Sequence, residues 1–566
     1  MDIQTAGAPR DGVVHRVLPL RTLVTIEALI CAALLIWRGA GLWWWLAVGA
    51  AVVVSALLLP LAAGRSIAGR GVRRSAFMMS RARRRGTDLA PAPFDIPGPD
   101  TTTIGARWDG DCLVTVVRIL PPAVPRATYL VPQESLTDYL LPMSALAECL
   151  DQFDIALAAV DVVSQGLRIH GDSAPATTYG RTLGPLAATA HRSVSVVLRL
   201  RPADCPEAVA RRGGGSTGAL RTVSVATRRV ATRLAEHGLS AHIMSAREIT
   251  GATTQLLDGS SLDSVEENWD QIDAGGLSMQ TFAVDPGQLP AVAQRVWTDA
   301  AVSTTLTVRL SRIDGTLAVS GLVRFDRNRQ TADEPPTPAY LLPLPGAQFA
   351  ALAAGLPIGT SAIGAIDDLP AVRGATADDV LDALRLAGTG CGQLIGADRT
   401  GRAVAVPVVG PGVETVVISG GLHLAQQVVL RAVAIGARTV VRTTRPERWR
   451  HLVTTVGDHR LLCLQHEWEG HENDVTLTVY DGVTVGPTPP MSTTLQVMAP
   501  GAEPPQAQLL LAQNDRTPQD VEIRTAAGTV HVTIVATPDE WVYTDPSTAT
   551  RSAPESTPAR HAAPMH

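Results

Sequence analysis

The sequence predicts a protein of mixed α/β and α+β class. An N-terminal two-helix transmembrane hairpin precedes an α+β sheet domain and a second α/β domain with a Rossmann-like βαβαβ unit. Three observations predict this fold. Two long apolar stretches stand together near the N-terminus, strand-like runs joined by Asp-Gly turns dominate the middle of the chain, and strand and helix patterns alternate towards the C-terminal end.

The transmembrane hairpin is predicted over residues 17–64, after a cytoplasmic tail over 1–16. Its spans run from Leu18 to Trp37 and from Ala40 to Ala63, and twenty helical residues cover roughly the 30 Å of bilayer hydrocarbon. Since two residues separate the spans, both chain ends lie on one side of the membrane. A cleaved signal peptide is the alternative, but a second full-length span follows and the junction lacks a small-residue cleavage site.

Arginines set the orientation of the transmembrane hairpin. They flank both ends and are nearly absent from the turn, so the positive-inside bias predicts a two-pass protein of the inner (plasma) membrane with both termini cytoplasmic. Indole rings after the turn would anchor at the outer interface. The predicted membrane- or partner-contacting residues are Glu27, Trp43, Trp44, Trp45, Arg65, Arg70, Arg73, Arg74, Arg81, Arg83, Arg84 and Arg85.

Glu27 is an ionisable residue inside the first span. A carboxylate facing acyl chains costs about 2 to 3 kcal/mol. Either Glu27 lies shallowly and tilts towards the headgroups, or it contacts a partner helix, in which case the span is also an interface.

Composition excludes several function classes. The net charge is −5, and all 48 basic residues are arginine, because the chain has no lysine. P-loop NTPases and Schiff-base enzymes both need lysine, so neither class fits. The basic residues cluster beside the transmembrane hairpin, which favours contact with an anionic lipid bilayer and argues against nucleic acid. The six cysteines lack the C-x-x-C spacing of zinc or redox sites.

A basic juxtamembrane segment and Pro-rich linker over 65–99 lead into an α+β domain over 100–327. The Trp108-Asp109-Gly110 turn before an apolar run predicts a β-hairpin, and a metal-binding D-x-D motif is the alternative. The other predicted elements include a helix over Leu141–Gln152, strands over Asp154–Ser164 and Ser193–Arg201, and an Asp314-Gly315 hairpin between Thr305–Arg312 and Thr316–Phe325.

A glycine loop with two arginines precedes the long amphipathic helix predicted over Thr217–His237. Its residues are Arg211, Arg212, Gly213, Gly214 and Gly215. Backbone N–H groups at a helix start, with arginines beside them, could hold an anion or contact a partner. Alternatively, the glycines only let the chain turn closely past a neighbour.

The order of these features resembles the EccE family of the type VII (ESX) secretion systems of mycobacteria and related actinobacteria. The resemblance covers residues 15 to 330 and rests on the two spans, the basic stretch, the turn at Trp108, the segment Phe153–Gly166 and the arginine loop. It implies a structural subunit at the cytoplasmic face of an inner-membrane complex, beside EccB, EccC and EccD type subunits, with ATP hydrolysis in EccC. It implies no catalytic, cofactor-binding or metal-binding residue.

A Pro-rich linker over 328–345 leads to the second α/β domain, over 346–544, before a disordered tail over 545–566. Thr376 and Asp379 read as a capping box that opens a helix to Ala387. A strand, helix, strand, helix and strand then follow in order, which predicts a parallel sheet. They are Val413–Ser419, His423–Ile435, Thr439–Arg442, Pro446–Val456 and Arg460–Gln465.

The second domain has a nucleotide-binding shape without the motifs. Its first turn, Ser419 to His423, carries neither a P-loop nor a complete G-x-G-x-x-G fingerprint, so we predict no cofactor. The cluster His459, Cys463, His466, Glu467 and His471 lacks zincin spacing, so we predict no metal. The favoured interpretation is a non-catalytic complex subunit. The alternatives are a membrane-anchored nucleotide- or sugar-nucleotide-dependent transferase and a nucleotide-binding regulator without hydrolysis.

Overall fold

The computed structural model describes residues 91–98, 102–109, 111–329, 338, 340–358, 369–468, 470–486, 492–514 and 516–545, with short pieces between residues 60 and 82. The chain divides into two compact units, Met1–Asp88 and Leu89–His566. In the first unit, Pro60–Leu61 (β1), which lies within the predicted second span, pairs antiparallel with Arg65–Ser66 (β2). The remainder of both spans lies outside the described residues.

The first part of the second unit contains the strands of its first sheet, together with one hairpin of the second sheet and one separate two-stranded hairpin. In chain order they are β3 (Phe94–Pro97), β4 (Thr103–Trp108), β5 (Leu113–Ile119), β6 (Thr128–Val131), β7 (Glu134–Leu136), β8 (Asp151–Gln152), β9 (Ile155–Ala156), β10 (Ala159–Leu167), β11 (His191–Leu200), β12 (Ala241–Ile243), β13 (Glu266–Glu267), β14 (Ile272–Ala274), β15 (Leu277–Val284), β16 (Ser303–Ile313), β17 (Thr316–Asn328), β18 (Leu341–Pro343) and β19 (Ala371–Arg373).

The remaining strands belong to a second sheet. They are β20 (Gln393–Ala397), β21 (Ala403–Val406), β22 (Thr415–Ser419), β23 (Thr439–Thr443), β24 (Leu462–Leu464), β25 (Leu477–Asp481), β26 (Thr493–Met498), β27 (Leu509–Gln513), β28 (Asp520–Thr525) and β29 (Gly528–Ile534).

Helices pack on both sheets. They are α1 (Met143–Glu148), α2 (Ala174–Leu183), α3 (Pro206–Arg211), α4 (Gly215–Glu236), α5 (Ala246–Leu256), α6 (Leu289–Arg295), α7 (Gln348–Ala354), α8 (Ala375–Ala383), α9 (Leu422–Ala434), α10 (Pro446–Val456) and α11 (Pro538–Thr544). Short 3₁₀ turns lie at Pro202–Asp204, Leu262–Ser264, Pro286–Gln288, Val296–Thr298, Gln465–Glu467 and Glu472–Asp474. Within the described ranges, no helix combines the length and apolar character that a bilayer crossing requires.

The first sheet is antiparallel and has helices on both faces. Its order is β13-β14-β15-β17-β16-β10-β11-β5-β4-β3, with β12 beside β5, β18 beside β15 and β19 beside β17. The predicted Asp314-Gly315 hairpin is confirmed, since both residues have positive φ (53° and 76°) as a type I′ turn requires. The sheet therefore supports the α+β part of the predicted fold.

Alternate residues of the central strands enter two hydrophobic cores. Val196 and Leu198 of β11 pack in the larger core, whereas Val197 packs in the core beneath α5 and α7. The long helix α4 covers the larger core with Val223 and Val230, which are fully buried on its 3.6-residue stripe. The face opposite this stripe is left at the surface of the protein.

The second sheet begins parallel and ends antiparallel, in the order β24-β23-β25-β26-β22-β27-β28-β29-β20-β21-β6-β7. Strands β22, β23 and β24 run parallel to their neighbours, with α9 and α10 as the connections between them. The predicted βαβαβ unit is therefore confirmed, although β25 and β26 lie between β22 and β23.

Strands from each side of the predicted linker at 328–345 pair with the sheet built mainly from the other side. The β6–β7 hairpin, from the first half of the chain, joins the edge of the second sheet through β21. In the opposite sense, β18 and β19 join the first sheet, and α8 contributes Val380 and Leu381 to its larger core. The two sheets are thus interleaved along the sequence.

Three predicted elements have different boundaries in the structure. The helix predicted over Leu141–Gln152 covers only Met143–Glu148. The strand predicted over Asp154–Ser164 is interrupted, because β9 ends at Ala156 and β10 starts at Ala159. The predicted capping box at Thr376 is wrong, since α8 starts at Ala375 behind Gly374, with no side-chain cap, and ends at Ala383.

Candidate functional site

Most of the predicted membrane-contacting residues lie outside the described residues. They are Glu27, Trp43, Trp44, Trp45, Arg70, Arg73, Arg83, Arg84 and Arg85. Of the others, Arg65 lies in β2, and Arg74 and Arg81 are at helical positions with exposed side chains. An exposed position is what a contact with headgroups or a partner would require.

The predicted arginine loop lies beside the β8–β9 hairpin, a contact that brings together two segments far apart in sequence. Strands β8 and β9 pair through Asp151↔Ala156 and Gln152↔Ile155, which leaves Phe153 and Asp154 as a two-residue turn. Phe153 is 99% exposed and has φ of 58°. A left-handed backbone is unfavourable for a bulky residue by roughly 1 to 2 kcal/mol, so an aromatic ring here needs a reason other than folding.

Asp154 joins this turn to the arginine loop. Arg212 Nη1 lies 2.7 Å from Asp154 Oδ2, and Arg212 Nη2 lies 3.1 Å from Asp154 Oδ1, so the guanidinium donates two parallel hydrogen bonds. Arg211 Nη2 adds a longer contact of 3.6 Å to the same carboxylate. The hydrogen bonds from Arg212 lower the pKa of Asp154, which is therefore ionised at neutral pH.

The glycines of the loop allow a tight corner between two helices. Gly213, Gly214 and Gly215 all have positive φ (112°, 67° and 54°), which explains the run of glycine between α3 and α4. One turn later, a Cβ at Gly218 would lie 2.2 Å from Val209 O. The close packing of α3 on α4 thus supports the reading in which the glycines let the chain turn past a neighbour.

One arginine of α4 contacts the hairpin from its other side, and a second one ties α4 to α1. Arg229 donates a hydrogen bond of 3.0 Å to Gln152 O, and its guanidinium lies 5.3 Å from the centre of the Phe153 ring. Arg233 pairs with Glu148 of α1 at 2.6 Å. Arg312 of β16 also pairs with Asp151, at the base of the hairpin.

We call the Phe153 turn together with Arg211, Arg212 and Arg229 the aromatic corner. Its ring is exposed to water while ion pairs and hydrogen bonds hold the turn. Exposed aromatic and arginine side chains on a rigid support are the residue types that contribute most to protein–protein binding. The arrangement suits recognition rather than catalysis, because its acidic group, Asp154, is already engaged by arginines.

The edge of the parallel sheet, where nucleotide-binding folds hold phosphate, is filled by the chain's own side chains. Gly421 at the start of α9 donates its N–H to Gln513 Oε1 at 2.6 Å. At the end of β25, Asp481 accepts hydrogen bonds from Arg445, Trp449 and Thr443. Burial would raise the pKa of Asp481, but these hydrogen bonds outweigh burial and hold the pKa below its usual range. Asp481 therefore joins β23, β25 and α10.

The five residues of the considered metal cluster are not gathered around one point. Cys463 is fully buried on β24, whereas the His459 and His466 side chains are 69% and 67% exposed. Glu467 lies 3.8 Å from His459 and 3.7 Å from His466 at its nearest atoms. Across the described ranges, no group of three or more His, Cys, Asp or Glu side chains has the geometry to hold a metal ion.

Sequence reasoning missed the role of Phe153. The alternation after Asp154 suggested one continuous strand, and Phe is not a turn-forming residue. No local signal marked the break between β9 and β10, because residues 155–160 form one unbroken apolar run. The pairing of Asp154 with Arg212 left no trace in local sequence, because 58 positions separate the two residues.

Comparison with known proteins finds similarity to one family. A family model described as "Putative type VII ESX secretion system translocon, EccE" matches residues 188–284, from just before β11 to the end of β15, and so includes the arginine loop and α4. ESX-1 secretion system protein EccE1 of Mycolicibacterium smegmatis is 30% identical over 176 residues, which is 30% of this chain and 36% of that protein. ESX-5 secretion system protein EccE5 of Mycobacterium marinum is 26% identical over 342 residues, 57% of this chain and 82% of that protein. The match thus spans about a third of EccE1 and most of EccE5. Over the matched residues, the chain is therefore similar to EccE components of type VII ESX secretion systems.

Proposed function

We propose that this chain is a non-catalytic structural subunit of a type VII (ESX) secretion complex in the inner membrane. The transmembrane hairpin over 17–64 fixes it in the bilayer with both termini cytoplasmic, and the cytoplasmic domains contact EccB, EccC and EccD type subunits. Similarity to the EccE family model supports the assignment, because that model describes a translocon component. The basic segment over 65–99 lies against the anionic inner leaflet.

The observation that carries the proposal is the aromatic corner. A ring that is 99% exposed, on a strained turn held by Arg212 and Arg229, is suited to a pocket on another protein. Several buried carboxylates of the protein serve its own fold. Asp161, for example, is fully buried between Arg199 and Arg309, with Nε–O distances of 2.7 Å to each. Such saturated ion pairs rigidify a scaffold and leave no free acid or base for chemistry.

Isolation of the native complex tests the proposal. The full-length tagged chain is extracted from membranes of its host in mild detergent, and the co-purifying proteins are quantified by mass spectrometry. We expect EccB, EccC and EccD type subunits in fixed ratio to the chain. Recovery of the chain alone, or with unrelated soluble proteins, contradicts a structural role in the complex.

The transferase and nucleotide-regulator alternatives have a separate test. Isothermal titration of the full-length protein with ATP, GTP and UDP-sugars, with and without Mg²⁺, measures binding directly. We expect no saturable binding at the start of α9, because Gln513 occupies the Gly421 N–H there. Micromolar binding that is lost when a bulky residue replaces Gly421 would favour the alternatives.

A further inference from the structure

A second feature of the fold is a cavity where the two sheets meet. Its volume is about 430 Å³, and its walls come from the end of β5, the start of β11, the segment over 388–390 and the segment over 407–413. This volume lies within the range of small-molecule sites, roughly 300 to 1,000 Å³. Pro121, Pro122, Pro407 and Pro411 supply much of the apolar wall.

The charged residues that line this cavity are all of one sign. Arg118, Arg126 and Arg192 line it together with His191, while no Asp or Glu does so among the described residues. Arg126 is neutralised by an ion pair with Asp138. Within the part of the chain that the structure describes, neither Arg118 nor Arg192 has a carboxylate partner. The cavity therefore has two positive charges in excess.

Arg192 and Arg118 are held in place without being neutralised. Arg192 donates to Thr189 Oγ1 at 3.0 Å, and its guanidinium lies 4.0 Å from the centre of the Trp297 ring. Arg118 lies on β5 opposite Ser195 of β11 and His242 of β12. The Nε atoms of both arginines are inaccessible to water and lack a hydrogen-bond acceptor in the described structure.

Burial of Arg192 has a clear electrostatic effect. It lowers the pKa of the guanidinium to about 10, so the charge remains at neutral pH but is poorly solvated. A buried charge without a counter-charge is strongly unfavourable. Buried Arg431 faces Glu540 at 2.8 Å, and buried Arg168 donates to three backbone carbonyls. Arg118 and Arg192 have no carboxylate partner in the described structure and each keeps an unsatisfied Nε, which points to a counter-charge supplied by a ligand.

We propose that this cavity binds a small molecule carrying a phosphoryl group, with Arg118 and Arg192 as its anion-binding residues. A guanidinium presents a planar fork of donors that matches the oxygens of phosphate. Thr128, Thr137, Ser193 and Thr389 line the same space and offer hydroxyl groups to the remainder of the ligand. Two sources share this chemistry: inorganic phosphate, and an organic phosphate such as a lipid headgroup. The site is distinct from the aromatic corner and does not depend on it.

Titration of the purified full-length protein in detergent tests this site. Inorganic phosphate and glycerol 1-phosphate serve as the two probes, and binding is followed by calorimetry and by the shift in unfolding temperature. We expect saturable binding that Arg118→Gln and Arg192→Gln each weaken at least about tenfold, since a hydrogen bond to a charged group contributes that much. If glycerol 1-phosphate binds more tightly than inorganic phosphate, the site is supported and its ligand is an organic phosphate. If the two probes bind with equal affinity, the site is supported and its ligand is inorganic phosphate.

A matched variant separates this site from nonspecific charge. Arg181 is exposed and pairs with Asp539 away from the cavity, so Arg181→Gln should leave both affinities unchanged. Without ligand, Arg118→Gln removes an uncompensated charge, so its unfolding temperature should equal or exceed that of the wild type. The proposal is overturned if neither probe saturates below about 10 mM, if Arg181→Gln weakens binding as much as the cavity variants, or if unliganded Arg118→Gln unfolds at a lower temperature.

Discussion

Replacement of Phe153 by Asn should separate folding from assembly. Asn tolerates the left-handed backbone that Phe153 adopts, so the substitution relieves part of a strain of roughly 1 to 2 kcal/mol. It also removes the contact with Arg229 at 5.3 Å, which at an exposed site is worth about 0.5 kcal/mol. Because the ring is 99% exposed, no core contact is lost. The free energy of unfolding should therefore stay within about 1 kcal/mol of the wild-type value.

Assembly of the complex, in contrast, should be weakened by the same substitution. If Phe153 enters a pocket on a neighbouring subunit, removing its ring forfeits about 1.5 to 3 kcal/mol of apolar burial. That loss corresponds to a 10- to 150-fold weaker contact. Urea unfolding of the purified chain and quantitative mass spectrometry of the complex from membranes measure the two quantities. Val485→Asn, at a side chain 44% exposed, is the matched control and should assemble normally.

Two results would refute this reasoning. Wild-type recovery of the complex with Phe153→Asn would show that the exposed ring does not contact a partner. A fall of more than about 2 kcal/mol in unfolding free energy would instead make Phe153 a folding residue, since that exceeds the usual effect of a surface substitution.

Further predictions concern the buried acids and the membrane segment. Asp161→Asn should lower the free energy of unfolding by about 3 to 5 kcal/mol at pH 7, because it leaves two arginines without their acid. Burial raises the pKa of Asp161, but the charges of Arg309 and Arg199 outweigh burial and hold the pKa below the ordinary value of 3.8. The contribution of Asp161 to the free energy of unfolding is therefore present above pH 3.8 and is lost as the pH falls. Urea unfolding of wild type and variant should give converging free energies in acid. Asp481→Asn should show the same convergence with a smaller loss, about 2 to 4 kcal/mol, because Arg445 is half exposed; a constant difference at all pH values would contradict both expectations. A cysteine in place of Gly39 should react with an impermeant thiol reagent in spheroplasts, whereas one in place of Ala300 should not, and the reverse pattern would refute the topology. Glu27→Leu should reduce recovery of the complex from detergent with unchanged membrane insertion, and equal recovery would favour a shallow Glu27.

Local sequence patterns predicted the elements whose causes are local. The Asp314-Gly315 turn fixes the β16–β17 hairpin because both positions need positive φ. The stripe of Val223 and Val230 predicts α4, which the structure places over Gly215–Glu236 instead of the expected Thr217–His237. The capping box at Thr376 failed because the chain bends at Gly374, whose φ of 60° starts α8 two residues earlier than the box requires.

Other features depend on contacts that no local pattern records. The addition of β6 to β21 joins residues near 130 to residues near 404, and neither segment contains a signal for the other. Likewise, the arginine loop was recognised as a candidate site from its composition, but its neighbour Phe153 was not. An exposed aromatic residue and a buried one look alike in sequence until the fold shows which has a partner.

The interleaving of the two sheets constrains how the chain can be synthesised and divided. During translation, the segment that becomes β6 and β7 leaves the ribosome long before its partner β21, so this edge of the second sheet can close only late. Until then, its unpaired backbone groups are exposed to other chains. Removal of everything after residue 345 would make that state permanent and would also delete β19 and α8 from the first sheet. Expression trials should therefore keep residues 89–545 together, because a cut at the Pro-rich segment would separate strands from their partners on both sides.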